Sequence, residues 1–159
     1  MKRTFFSLAL LLAVATLTAQ TKMTAREAAV KIADRILAST TYEFKNTKTG
    51  EIYKSVKKLP LDMNVKVACK YNNWHYTNGV TNMALMELGD KLGDKKYEKY
   101  VLKNMNFVFN EGNLDFFRKQ YDEAFKRDGW NAVRKLSWHM IFRGKRLDDN
   151  GPMGASLIE

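Results

Sequence analysis

Between Met23 and Ser39 the apolar positions fall at helical spacing. Ala25, Ala28, Ala29, Ile32 and Ile36 follow steps of three and four that gather on one stripe. Thr24 stands ahead of the run and Glu27 three residues on, the spacing of a capping box in which each side chain satisfies the other's backbone N–H. An amphipathic helix over residues 23–39 is predicted. From Thr40 to Asn73 the chain turns Lys- and Thr-rich, carries Gly50 and Pro60, and keeps no helical period. A long irregular connection is expected there, with short extended pieces around residues 51–55 and 65–68. Connections of this length are often functional, although this one could equally be a surface wrap.

The helical rhythm returns at Asn78, where Val80, Met83, Ala84 and Leu88 share a face. Gly93 suits the left-handed position after a helix, and Asp94 can cap the next one. There Tyr97, Tyr100, Val101, Met105 and Val108 repeat the period. Leu92 to Tyr97 therefore reads as a tight αα-hairpin. Asn110 to Asn113 ends the second helix, and two further helical pieces are expected over 116–124 and 130–142, on either side of Asp128-Gly129. Asn150-Gly151 reads as a turn, with Pro152 opening another helix and Asp149 or Asn150 as its cap. No strand-rich block appears, so the fold class expected is all-α. The Leu-Gly…Tyr flavour of residues 88–100 has no second copy at the spacing of about 34 residues that a helical-repeat array needs.

Composition changes this picture at the N-terminus. Met1-Lys2-Arg3 precedes an apolar run from Phe5 to Leu17, broken only by Ser7 and Thr16, and Thr18-Ala19-Gln20 follows with small residues. That is the layout of a secretory signal peptide over residues 1–19, too short for a comfortable membrane span. It leaves one domain over 20–159 and implies export, periplasmic or secreted, without a membrane anchor. Cys69 is the single cysteine, so no disulfide forms within the chain and stability has to come from a core. Losing Lys2 and Arg3 takes the formal charge from +10 to +8. A basic surface attracts polyanions. For an exported chain the partner expected is an acidic oligosaccharide or polysaccharide, with no nucleic acid; the alternative is that the charge serves solubility alone.

Three groups could carry chemistry. Asn72 to Gly79 places Trp74, His75, Tyr76 and Asn78 at the mouth of a helix. An aromatic ring beside an amide suits a sugar, whose C–H face stacks while its hydroxyls or carboxylate bond to the amide. The same residues would serve equally as core anchors and a helix cap. Asp148 and Asp149 form an adjacent carboxylate pair, of which capping explains only one; a carboxylate in a pocket can also act as an acid or base. His75 and His139 show no metal-ligand spacing, and no metal or organic cofactor is expected. A glycine-rich phosphate loop and a nucleophile elbow are both missing from the sequence.

The ordered set of a helix, Trp74-x-Tyr76-x-x-Gly79, the Leu-Gly-Asp-Lys-Lys-Tyr hairpin and Leu147-Asp148-Asp149 with Gly154 behind it resembles the N-terminal part of the unsaturated glycuronyl hydrolases. This is the glycoside hydrolase family 88/105 group, which includes unsaturated rhamnogalacturonyl hydrolases. The resemblance runs from about Met23 to Glu159 and is strongest over 74–100 and 147–154. It implies about the first two-fifths of an (α/α)6 barrel. The implied activity is release of a Δ4,5-unsaturated uronic acid from the non-reducing end of lyase-generated oligosaccharides. A carboxylic acid protonates the ring double bond, water adds to the neighbouring carbon, and the hemiketal opens and breaks the linkage. Position by position, Asp148 matches a supporting catalytic aspartate, Trp74 a stacking tryptophan and Asn78 a substrate-contacting asparagine, with Tyr76 and Asp149 as neighbours. The principal acid/base of that family belongs to later hairpins, so residues 1–159 alone are expected to be inactive. The segment 113–146 is longer than the family's pattern. Two other classes compete with the hydrolase: an exported helical module that binds acidic glycans without catalysis, and a helical-repeat interaction protein.

Overall fold

The computed structural model describes residues 23–109, 112–144 and 147–158, and the side chains of 147–149 also lie outside the description. The expected signal peptide, residues 1–19, falls outside the described residues. The chain divides into two compact units, Met1–Ile32 and Ala33–Glu159. In the first, the start of helix α1 (Ala25–Ser39) carries the expected capping box. Glu27 Oε2 accepts from the Thr24 amide at 2.8 Å, and Thr24 Oγ1 accepts from the Glu27 amide at 3.2 Å.

In the second unit the order is the rest of α1, then β1 (Phe44–Asn46), β2 (Ile52–Tyr53), β3 (Val65–Val67) and a 3-10 turn (Lys70–Asn72). Five helices follow: α2 (Tyr76–Leu92), α3 (Lys96–Phe109), α4 (Asn113–Val133), α5 (His139–Arg143) and α6 (Leu147–Ala155). The protein is mostly helical, in keeping with the all-α class, but the irregular connection folds into a small antiparallel sheet in the order β2-β1-β3. The extended pieces expected near 51–55 and 65–68 become β2 and β3. The central strand β1 has no counterpart in the sequence pattern: only three residues long, it is held by its neighbours, with Phe44 opposite both Tyr53 and Val67. Asn46 closes the β1–β2 turn, its Oδ1 accepting from the amides of Lys48 and Thr49.

The α2–α3 hairpin forms as its sequence dictates. Gly93 sits at φ 65 and donates to Asp90 O at 3.2 Å, while the Asp94 amide reaches Gly89 O at 3.0 Å, the paired bonds of a Schellman stop. Asp94 then caps α3 by accepting from the Lys96 amide at 3.0 Å. Ala33, Leu85, Tyr97, Tyr100 and Val101 make one core around this hairpin. A second core joins Phe44 and Val65 of the sheet to Trp74, Val108, Phe117, Trp138 and Met153.

Two expected helix boundaries need correction. The break at Asp128-Gly129 is present as a kink inside α4, with Gly129 at φ 51, but the helix expected over 130–142 is interrupted. Trp138 takes a left-handed conformation at φ 56 and is 1% exposed. Its indole lies against Phe117 and donates to Asn72 O at 2.8 Å, so burial of the ring overrides the local helical period. The second correction concerns α6, which begins at Leu147 and runs through Asn150, Gly151 and Pro152. Asn150 therefore does not cap a helix opening at Pro152.

Candidate functional site at the mouth of helix α2

His75 is the N-cap of α2, with extended backbone and a ring that accepts from the Thr77 amide at 3.4 Å. Cap residues adopt this geometry because the first helical N–H groups have no carbonyl partner within the helix. The His75 and Tyr76 rings lie 4.7 Å apart, and Tyr76 is 46% exposed. Asn78 ties the helix to the preceding turn: its Nδ2 donates to Lys70 O at 2.8 Å and to Asn73 O at 2.7 Å. Both amide hydrogens are thus engaged by backbone. What Asn78 offers an outside group is its carbonyl oxygen, which accepts from a hydroxyl but cannot bind a carboxylate.

Lys70, Tyr71, Asn73, His75, Thr77, Asn78 and Thr81 surround an open concavity of about 360 Å³. Lys70 supplies its positive charge, with Nζ 5.0 Å from the centre of the Tyr71 ring. The cleft thus combines an ammonium, aromatic surface, hydroxyls and an amide carbonyl, the groups that hold a hydroxylated acidic ligand.

Trp74 faces the other way. It is 6% exposed, meets the Phe109 ring edge-on at 5.7 Å, and donates from Nε1 to Asn150 Oδ1 at 2.8 Å. The 147–154 segment is therefore packed directly on the 74–79 segment. At Gly79 the approach is closest: a Cβ there would lie 2.4 Å from the Pro152 carbonyl carbon and 2.5 Å from the Met153 nitrogen. Only glycine permits that backbone contact. The α2–α6 pairing is the most extensive between described elements.

The two stretches singled out in the sequence thus meet in space, while Trp74 and Asn78 open onto different surroundings, one the core and one the cleft. Asp148 and Asp149 belong to the first turn of α6, and their side chains lie outside the described residues. Sequence reasoning missed Lys70 and Asn150. Nothing local marks Lys70, and Asn150 followed by Gly151 gives a turn signal that the tertiary contact overrides. Among the described residues no group of three His, Cys, Asp or Glu side chains could hold a metal ion, and no helix is long and apolar enough to cross a membrane. Searches against protein-family models, curated proteins and solved structures find no match for this chain.

Proposed function

We propose that the chain is the N-terminal part of an exported unsaturated uronyl hydrolase of the family 88/105 type, built on an (α/α)6 barrel. The observation that carries the reading is the contact between its two motif segments, through Trp74 to Asn150 and Gly79 to Pro152.

The substrate is an oligosaccharide ending in a Δ4,5-unsaturated uronic acid, of the rhamnogalacturonyl type. In the reaction a proton is added to C4 and the oxygen of water to C5. C5 becomes a hemiketal, its bond to the ring oxygen breaks, and C1 is left as a hemiacetal that expels the adjoining sugar as an alcohol. Asp148 is the supporting carboxylate in this scheme, and the principal acid/base comes from a later hairpin. Asn78 Oδ1 accepts from a substrate hydroxyl, and Lys70 faces the uronate charge. Trp74 supports the site from beneath by holding Asn150, and Tyr76 and Asp149 border it. The step needs no metal or organic cofactor, and differs from displacement at the anomeric carbon by a carboxylate pair.

The cleft at the mouth of α2 has no carboxylate among the described residues that line it, which favours one second reading, a helical module that binds acidic glycans without catalysis. The test is to incubate the full-length gene product with an unsaturated rhamnogalacturonyl disaccharide and follow the ultraviolet absorbance of the conjugated double bond. Loss of absorbance with release of both sugars supports the hydrolase. Saturable binding with unchanged absorbance supports the module.

A further inference from the structure

A separate concavity, of about 250 Å³, opens between β3 and the kinked end of α4. Lys66, Arg127 and Lys135 line it, with Asp128 at the kink. Lys66 is half-buried and donates from Nζ to the backbone carbonyl of Lys135, which holds its ammonium beside the other lysine. Burial first, and then the charge of Lys135, press the Lys66 ammonium below its ordinary pKa. None of the three cations forms an ion pair among the described residues. The neutral donors in the wall are already engaged: Thr47 Oγ1 donates to Asn64 O at 3.1 Å, and Asn64 Nδ2 to Asp62 Oδ1 at 2.8 Å. What the cleft presents outward is therefore three positive charges and the single carboxylate of Asp128. Like charges gathered this way are relieved by a shared counter-charge.

We propose that the cleft formed by Lys66, Arg127 and Lys135 binds an oxyanion. At about 30 Å³ per water the space holds roughly eight waters, room for one oxyanion group and a little of what carries it. Free phosphate and the carboxylate of an acidic sugar share this chemistry. The cleft shares no residue with the mouth of α2, so it stands independently of the hydrolase reading.

The test is an amide-resonance titration of the full chain at constant ionic strength, with inorganic phosphate in one arm and galacturonic acid in the other. Saturable shifts at residues 64–66 and 127–136 are expected in at least one arm, and the arm that responds identifies the source. Lys135→Gln, at an exposed position, should weaken binding roughly tenfold with the spectrum otherwise preserved. Lys66→Met keeps the apolar stem and should do the same, whereas Arg118→Gln, at a residue paired elsewhere with Asp122, should leave binding unchanged. Unsaturable drift in both arms, or saturable binding that neither lysine substitution weakens, would overturn the proposal.

Discussion

The indole N–H of Trp74 donates to the side-chain oxygen of Asn150 at 2.8 Å across 76 positions of sequence. This bond fastens the mouth of α2 to α6, and both partners are shielded from water to a degree that makes it costly to leave either unpaired. Trp74→Phe should lower stability by about 1–3 kcal/mol. A double-mutant cycle with Asn150→Ala, read by urea denaturation, should give a coupling of roughly 0.5–3 kcal/mol. A coupling of zero would mean that the bond merely accompanies the packing.

Gly79 makes a second test of the same junction. In an ordinary helix interior Gly→Ala gains about 1 kcal/mol. Here the new methyl would meet backbone atoms of Pro152 and Met153 at 2.4–2.7 Å, and backbone cannot rotate away as a side chain would. Overpacking of this kind costs about 1–3 kcal/mol, so Gly79→Ala should destabilise. Gly154→Ala, where the added methyl meets nothing within 4 Å, should be neutral or stabilising. If the two substitutions shift the denaturation midpoint alike, the close approach is absent in solution.

Acid stability should depend on Asp34 and Asp62. The Lys96 ammonium and the Tyr97 hydroxyl, bonded to the Asp34 carboxylate, hold it below the usual carboxyl range. The Asn64 amide does so for Asp62, followed by the side chains of Asn64 and Asn46. Both folded pKa values lie below the unfolded ones. Their contribution is therefore complete above about pH 4 and is lost as the pH falls through the folded values. Lys96 is raised by the same Asp34 bond and stays charged throughout that window. Asp34→Asn should thus make the acid limb of stability against pH shallower. An unchanged limb would show that the pairing has no effect on folding.

Local signals in the sequence carried over well. The Thr24–Glu27 box, the Gly93 stop with its Asp94 cap, and the break at Asp128-Gly129 all rest on neighbours within a few positions. The misses share a different cause. Phe44 opens the central strand of the sheet because Tyr53 and Val67 flank it. Trp138 leaves the helical region because its indole finds Phe117 and Asn72 O. Helix α6 begins early, against the turn signal of Asn150-Gly151, and packs on Gly79. At the candidate site the sequence marked Trp74 and Asn78 without distinguishing them. Only three-dimensional contacts show one ring sealed against Phe109 and one amide bridging two backbone carbonyls beside the cleft.

The most direct measurement compares the full-length gene product with its Asp148→Asn variant on the unsaturated disaccharide, following the double-bond absorbance, with circular dichroism to check the fold. Acid/base groups typically contribute 10²–10⁴-fold, so neutralising Asp148, in its proposed supporting role, should cost at least about 10²-fold, with the fold retained. If the principal acid/base lies in a later hairpin, as proposed, the 159-residue chain alone should show no turnover. Turnover by that chain would contradict the proposed placement of the principal acid/base in a later hairpin. An Asp148→Asn variant as active as the parent, or a full-length protein that never consumes the double bond, would contradict the hydrolase assignment.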